Sequence, residues 1–302
     1  MSDSTPTDRI GLIAGWGRYP LVLAEVMRQQ GRSVVCLAVK GHADRALRDL
    51  CDDYYEVGLG QLGKSLRILR RHQVTVATMA GKIHKVVLFR PYVLWTHFPD
   101  WRGARTYFPY FAANTRDRRD DTLLRAIVTA LAEEGVTVVP ATEFLPEVLV
   151  KYGVLARRRL SRSEAKDVEF GWRIAKEMGR LDIGQTVVVK SRAVMAIEAI
   201  EGTDQCIRRA GQLCEAGGFT VVKVAKPNQD MRFDVPTFGV GTMESLVAAG
   251  GRVLAVEADK TILIDEAEVI DFANRHGIAI VAIRDGACER VESRESRVKS
   301  EE

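Results

Sequence analysis

The sequence has few cysteines and histidines, and neither residue type falls in a metal-binding pattern. Five cysteines are scattered through 302 residues without a C-x-x-C pair. An odd number of ungrouped cysteines is typical of free thiols in a reducing compartment, and it argues against a disulfide framework. The five histidines have no ligand spacing, which argues against a zinc centre.

Several other signatures are absent as well. The chain contains no P-loop, no G-x-S-x-G motif and no H-E-x-x-H motif, which argues against the enzyme classes that these motifs define. The N-terminus has no basic region followed by an apolar core, and no apolar run reaches the length of a membrane span. The formal net charge is only +4, so nucleic acid is not an expected partner. We therefore expect a cytoplasmic protein.

The composition and patterning that are present predict two globular α/β domains. Hydrophobic residues make up 46% of the chain and charged residues 28%, and domains average roughly 150 residues. Short apolar strands alternate with amphipathic helices, which predicts a Rossmann-like first domain with a mainly parallel sheet and a second α/β domain with a mixed sheet. We place the domains at residues 1–140 and 141–286, followed by a disordered, charged tail at 287–302.

Local signals predict several individual elements. Residues 33–39 form an apolar strand pattern, and residues 43–51 and 62–71 have helical spacing. Two β-rich runs flank Ser191 and Arg192 and are expected to pair as a hairpin. Ser161 followed by Glu164 is a capping box, which predicts a helix start.

The first predicted strand covers residues 10–14, and a glycine-containing turn follows it at residues 15–20. Strand, glycine turn and helix together point backbone N–H groups at a phosphate, and Pro20 suits a first helical turn. The third glycine of the dinucleotide fingerprint is absent, so a tight βα turn is an equally good interpretation. Lys82 follows a later strand at its carboxyl end, where ligands bind in open α/β sheets. The expected contacts on the nucleotide side are Gly15, Trp16, Gly17, Arg18, Tyr19 and Lys82.

Aromatic residues concentrate between positions 86 and 111. Nine of them lie there, including Trp95 and Trp101, interleaved with arginines. One interpretation is a helical cover packed on the sheet, because aromatic side chains usually belong to a core. The other is a surface that accepts acyl chains or rests on a membrane interface. The sequence leaves both open.

Residues 220–241 contain the largest concentration of candidate catalytic and binding side chains in the sequence. An apolar run at 219–224 predicts a buried strand that contains Lys223, and Pro227 then ends regular pairing. If the chain beyond it is extended, Asp230, Arg232 and Asp234 lie on one face. Cations beside carboxylates suit phosphate and a divalent metal, although a salt-bridged strand edge has the same composition.

A second group of polar residues lies upstream, at Glu201, Gly202, Thr203 and Asp204. Thr203 or Asp204 is expected to cap the helix that follows, and Gly202 permits a tight turn. The two carboxylates then lie near a helix N-terminus, where they either complement the helix dipole or face a metal ion. Oxygen ligands of this kind suit magnesium, with manganese as the alternative.

The motifs at 199–204 and 220–241 together resemble the signature of the magnesium-dependent UDP-2,3-diacylglucosamine pyrophosphatases of lipid A biosynthesis, the family unrelated to calcineurin-like phosphoesterases. The resemblance runs from Gly11 to about Ala282. It implies a hydrolase that cleaves UDP-2,3-diacylglucosamine to UMP and 2,3-diacylglucosamine 1-phosphate at the cytoplasmic face of the inner membrane. The family pattern has Asp where this chain has Ala225, so we expect impaired turnover.

Together with this resemblance, the two motifs predict a site between the two domains. Its expected ligand is a nucleotide-activated diacylated glucosamine lipid. A homodimer is one expectation for the assembly of the chain. Position 225 and four charged residues would perform catalysis, namely Lys223, Lys226, Asp230 and Arg232. Gly202, Thr203 and Gln229 would contact the substrate, and Glu201, Asp204 and Asp234 would bind the metal.

Two other functions compete with the hydrolase. A sugar-nucleotide oxidoreductase would use the first domain as a Rossmann fold, but Lys40 stands where an acidic ribose partner is expected. A non-catalytic protein that binds nucleotide-linked lipid is favoured by Ala225. A turnover assay separates it from the hydrolase.

Overall fold

The computed structural model describes residues 9–83, 97–112, 120–227 and 229–286. The chain forms two compact units. The first comprises the chain up to Pro146 together with Asp230–Phe233, and the second comprises Glu147–Gln229 and the chain from Asp234 onward. Each unit is an α/β domain, which confirms the predicted fold class. The predicted tail at 287–302 lies outside the described residues.

The first unit is built on a five-stranded parallel sheet. Its strand order is β3-β2-β1-β4-β5, with every adjacent pair parallel. This order reverses between β1 and β4, the position where doubly wound folds bind ligands. The strands are β1 (Arg9–Ala14), β2 (Ser33–Val39), β3 (Asp53–Val57), β4 (Val76–Ala80) and β5 (Thr137–Val139).

The helices of the first unit agree with the sequence in part. The helix Leu62–Arg71 (α3) has the predicted bounds, and Pro20 lies in the first turn of the helix Tyr19–Gln29 (α1), as expected. The predicted helix at 43–51 is wrong for most of its length, since only four residues form α2, and β3 was not predicted. The strand β3 lies at the edge of the sheet and contains the polar residues Asp53 and Glu56. Edge strands keep such residues along their open side, and β3 therefore lacks the apolar pattern that would predict a strand. The helices are α1 (Tyr19–Gln29), α2 (Leu47–Leu50), α3 (Leu62–Arg71), α4 (Trp101–Ala112) and α5 (Asp120–Glu133).

The second unit contains a six-stranded mixed sheet in the order β6-β13-β11-β9-β7-β8. Its centre is parallel, and β6, β7 and β8 pair antiparallel at the two sides. A small parallel sheet joins β10 (Thr237–Phe238) to β12 (Ile262–Leu263). The large sheet consists of β6 (Gly153–Val154), β7 (Thr186–Lys190), β8 (Ala193–Ile197), β9 (Thr220–Lys223), β11 (Val253–Glu257) and β13 (Ala279–Ile283).

Helices cover both faces of this sheet. The capping box at the start of α6 is confirmed, with Glu164 N donating to Ser161 Oγ at 3.3 Å and Ser161 N donating to Glu164 Oε2 at 2.8 Å. One apolar core lies between α6 and the sheet, and the second lies between the sheet and α7, α8 and α9. These helices are α6 (Arg162–Arg180), α7 (Thr203–Leu213), α8 (Val240–Ala248) and α9 (Glu266–His276).

The hairpin between β7 and β8 is also confirmed. Ser191 and Arg192 connect the strands with φ values of 52° and 60°. Their amide groups donate to the carboxylate of Asp167 at 2.9 and 2.7 Å, which holds both residues in the left-handed conformation. The described ranges contain no helix with the length and apolar character of a membrane span.

Candidate functional site

Lys223 is the most deeply buried charged residue of the predicted site. It ends β9 with 1% of its surface exposed, as the sequence predicted for a lysine inside a buried strand. Its Nζ donates to Thr203 Oγ1 at 3.1 Å and to the carbonyl of Thr237 at 2.8 Å. A buried ammonium is tolerated only when its donors are satisfied in this way.

Thr203 links this ammonium to a buried carboxylate. Its hydroxyl accepts from Lys223 and donates to Glu198 Oε1 at 3.0 Å. Glu198 follows β8 and is 7% exposed. The Lys223–Thr203–Glu198 chain therefore joins two opposite charges inside the second unit through a single hydroxyl.

Two carboxylate oxygens beside this chain lack donors. Glu198 Oε2 and Asp204 Oδ1 are buried, and neither has a hydrogen-bond partner in the described part of the protein. Buried polar atoms are nearly always paired, so each unpaired atom requires an explanation. Carboxylate oxygens accept hydrogen bonds or bind cations, and these two atoms are therefore available to a donor or a metal ion.

The start of α7 differs from the prediction. Neither Thr203 nor Asp204 caps the helix, because the N-cap residue is Gly202 at a φ of 84° with no side-chain cap. The Thr203 hydroxyl is instead committed to Lys223 and Glu198. Glu201 is also engaged, since its Oε1 accepts from Arg209 Nη2 at 2.6 Å and its Oε2 from Ala199 N at 3.1 Å.

Position 225 is fixed through its backbone. The amide of Ala225 donates to Glu257 Oε2 at 2.8 Å, and its carbonyl accepts from Lys176 Nζ at 3.0 Å. Lys176 also binds Glu257 Oε2, at 2.5 Å, and Lys260 binds the other oxygen at 3.0 Å. Because Glu257 ends β11 beside β9, residue 225 lies at the carboxyl edge of the parallel strands, where α/β folds bind ligands.

Lys176→Met is expected to lower the free energy of unfolding by about 1–3 kcal/mol, because it leaves the buried Glu257 carboxylate and the Ala225 carbonyl short of a donor. Lys260→Met is the matched control. It removes a cation from the same carboxylate, but Lys260 is 56% exposed against 25% for Lys176, so we expect a loss of about 0–1 kcal/mol. Urea denaturation measures both variants, and equal losses would contradict the role given to Lys176.

The loop after Pro227 is closed by side-chain contacts. Lys226 Nζ donates to Asp182 Oδ1 at 2.6 Å, and Lys226 N donates to Gln229 Oε1 at 2.8 Å. The Gln229 amide nitrogen donates to the carbonyl of Asp234 and lies 3.4 Å from Gln185 Oε1. Gln229 therefore holds the two ends of this loop together, which is a structural role beside the predicted substrate contact.

Residues 231–233 form a turn, so the condition under which Asp230, Arg232 and Asp234 share one face of an extended segment is not met. Asp230 begins this turn, with Phe233 N donating to its carbonyl at 3.3 Å and Arg232 N donating to its Oδ1 at 3.1 Å. Aspartate commonly starts such turns, because its carboxylate binds the backbone two residues on. Arg232 also binds both carboxylate oxygens, at 2.9 and 2.6 Å. This guanidinium holds the pKa of Asp230 below its ordinary value.

In the first unit, the glycine turn packs tightly against the chain after β4. Trp16 and Lys82 exchange two backbone hydrogen bonds of 2.8 Å. A Cβ on Gly15 would lie only 2.8 Å from the Lys82 carbonyl oxygen. Close packing of the two backbones therefore requires glycine at position 15. Gly17 has a φ of 113° and open space around it, and Arg18 precedes the first turn of α1. Tyr19 is buried, which raises the pKa of its hydroxyl.

Among the described residues of the aromatic segment at 86–111, some belong to the core and others are exposed to solvent. Residues 84–96, including Trp95, lie outside the described residues. Tyr107 is core, since it is buried and its hydroxyl donates to the Leu59 carbonyl at 3.1 Å. Trp101 and Phe108, by contrast, are 84% and 68% exposed. They lie seven residues apart on α4 and therefore share one helix face, with the exposed Arg105 between them.

The metal-binding roles of Glu201, Asp204 and Asp234 stay a prediction. Throughout the described ranges, no three or more His, Cys, Asp or Glu residues are arranged to hold an ion. Sequence reasoning also missed Glu198, Glu257 and Lys176. The two glutamates carried a usable signal, because each is an acidic residue that ends an apolar strand pattern. Lys176 lies within an amphipathic helix and carried none.

Comparison with known proteins identifies relatives over nearly the whole chain. The family model described as the LpxI N-terminal domain matches residues 9–148, and the LpxI C-terminal domain matches residues 151–281. The UDP-2,3-diacylglucosamine pyrophosphatase LpxI of Caulobacter vibrioides is 32% identical over 287 residues, which cover 91% of this chain and 97% of that protein.

Matches among solved structures are much weaker. A UDP-glucose-4-epimerase from Stenotrophomonas maltophila is 14% identical with a TM-score of 0.26, over 42% of this chain and 34% of that one. A phosphoribosylglycinamide synthetase from Anaerococcus prevotii is 10% identical with a TM-score of 0.24, over 66% of this chain and 34% of that one. Similarities at this level carry no argument about function.

Proposed function

The chain belongs to the LpxI family, and on that premise we propose that it acts on UDP-2,3-diacylglucosamine in lipid A biosynthesis. The reaction is addition of water to one phosphorus of the pyrophosphate, with cleavage of the bridging P–O bond to give UMP and 2,3-diacylglucosamine 1-phosphate. The observation that carries the proposal is the Lys223–Thr203–Glu198 chain, which lies beside position 225 at the carboxyl edge of β9. Release of UMP measures the activity.

The cations at this edge suit a pyrophosphate. Lys223 and Lys226 flank position 225, and Lys176 contacts its carbonyl. Lysine ammonium groups bind phosphate oxygens as point charges with several donors. In this proposal the partly exposed Lys226 and Lys176 bind the pyrophosphate, and the buried Lys223 adds positive charge behind them without touching the substrate.

Magnesium is the cofactor that the family resemblance implies, and the residues present fit it. Magnesium usually takes only one or two carboxylates and completes its shell with water and substrate phosphates, so a group of three acidic residues is not required. Asp204 carries a buried carboxylate oxygen without a partner in the described residues, which is a suitable ligand. A bound ion would neutralise the phosphate charge, and manganese has the same preference for oxygen.

Slow turnover is part of the proposal. Ala225 offers no carboxylate to orient or deprotonate water, while the lysines that bind the ground state are retained. Binding can therefore survive while transition-state stabilisation is lost. The same substitution favours a second candidate, a protein that binds the nucleotide-linked lipid without hydrolysing it. Absence of UMP release, even in variants with a carboxylate at 225, would support that candidate.

The exposed face of α4 is proposed to contact acyl chains or the membrane surface. The N-terminus of the helix is anchored, because Asp100 accepts from Gly63 N, Lys64 N and Gly103 N at 2.8–3.0 Å. Trp101 and Phe108 are thus presented outward on an anchored element. Aromatic side chains beside arginine are typical of surfaces that lie at a lipid interface.

Replacing Trp101 and Phe108 together with Ser is expected to weaken binding of the diacylated ligand by about tenfold, since each exposed ring would bury apolar area against the acyl chains. Binding of UMP should be unchanged. Leu213→Ser is the control, because Leu213 is an exposed apolar residue in the second unit. Titration calorimetry with both ligands makes the comparison. Equal losses for the two ligands, or a similar loss in the control, would contradict this surface.

A further inference from the structure

We infer that Glu198, rather than Glu201, is the carboxylate that joins Asp204 in holding a divalent cation at the start of α7. The inference deepens the proposed function, because it assigns a ligand of the same site. It rests on the Glu198 and Asp204 oxygens that are buried without partners in the described residues.

The contacts of Glu198 orient it as a ligand. Its Oε1 accepts from Thr203, which fixes the carboxylate and leaves Oε2 without a donor in the described structure. Thr203 is immediately followed by Asp204, whose Oδ1 is also buried without a hydrogen-bond partner in the described structure. Thus the residue that holds one carboxylate is the chain neighbour of the other. Both oxygens can only accept, and a hard cation such as Mg²⁺ binds carboxylate oxygens of this kind.

Glu201 lacks these features, although it lies in the same motif. Its two oxygens accept from Arg209 and from the Ala199 amide, so a cation would have to displace both contacts. Magnesium also fits the local charge. Lys223 offsets the charge of Glu198 through Thr203, and Asp204 adds one further negative charge.

Binding of Mn²⁺ by the full chain tests this assignment, measured by electron paramagnetic resonance with the metal alone and again with UDP present. Glu198→Gln keeps the side-chain shape and is expected to weaken Mn²⁺ binding by at least about tenfold, the lower end of what even an outer-shell partner costs. Asp204→Asn should cause a loss of the same order. Glu201→Gln is the matched control, with an expected change below about twofold.

Three results would overturn the inference: unchanged Mn²⁺ affinity in Glu198→Gln, an equal loss in Glu201→Gln, or no Mn²⁺ binding by the starting chain with or without UDP. Thermal unfolding of each variant confirms that the fold is kept. If Glu198→Gln unfolds, Glu198→Asp is measured in its place, and unchanged affinity there also counts against the inference. A failure here leaves the proposed function intact as long as an Ala225→Asp variant releases UMP with Mg²⁺, so the two outcomes are distinguishable.

Discussion

Ala225→Asp is expected to raise the rate of UMP release from UDP-2,3-diacylglucosamine by about two to four orders of magnitude, the usual contribution of a positioned base or metal-binding group. The backbone of residue 225 is held on both sides, by Glu257 at its amide and Lys176 at its carbonyl. A new carboxylate would therefore extend from a fixed Cα, close to Lys223 and Lys226. Measurement of UMP with Mg²⁺ present, in variant and starting chain, gives the ratio directly.

Ala225→Asn is the matched control for this gain. It adds the same shape without the negative charge, so it should leave the rate of the starting chain unchanged. The competing explanation is that Asp230 or Asp234 already supplies the carboxylate. For Asp230 the structure weakens that explanation, because both of its oxygens are bound by Arg232. Equal rates in the starting chain and a well-folded Ala225→Asp variant would refute the role given to position 225.

Lys223→Met is expected to have the largest effect on stability, a loss of about 2–5 kcal/mol in the free energy of unfolding. The substitution leaves the Thr203 hydroxyl, the Thr237 carbonyl and the buried Glu198 charge without their ammonium, and orphaned buried charges are costly. Affinity for UDP should fall by more than tenfold at the same time. Urea denaturation and titration calorimetry provide the two measurements.

Lys226→Met is the comparison for Lys223. Lys226 is only partly buried and pairs with Asp182, so its removal should cost about 0–1 kcal/mol. Lys223→Arg retains the charge and separates the electrostatic loss from the change in shape. A Lys223→Met protein as stable as Lys226→Met would show that the buried chain contributes nothing, and its role in the site would have to be withdrawn.

The parts of the fold that the sequence predicted correctly depend on local rules. The bounds of β2 and α3, the capping box at Ser161 and Glu164, and the hairpin at Ser191 and Arg192 each follow from neighbours within a few residues. The burial of Lys223 also followed from its own strand, because the residues around it are apolar. Patterns of this kind do not depend on how distant segments meet.

The structure departs from the sequence patterns where distant contacts or side-chain competition decide it. Residues 230–234 alternate like a strand, but the Asp230 carboxylate binds the backbone of Arg232 and forms a turn. Thr203 has the composition of a helix cap, but Lys223 and Glu198 occupy its hydroxyl from elsewhere in the chain. The partners of residue 225, Lys176 and Glu257, are 49 and 32 residues away in sequence, which no local pattern reveals.

Native mass spectrometry distinguishes substrate binding without turnover from hydrolysis. The unaltered chain is incubated with Mg²⁺ and UDP-2,3-diacylglucosamine, and the mass of the bound ligand is then read. We expect a complex that contains the intact substrate, whereas an Ala225→Asp sample treated in parallel contains 2,3-diacylglucosamine 1-phosphate or UMP. Rapid conversion by the unaltered chain, or the absence of any bound ligand, would contradict this expectation.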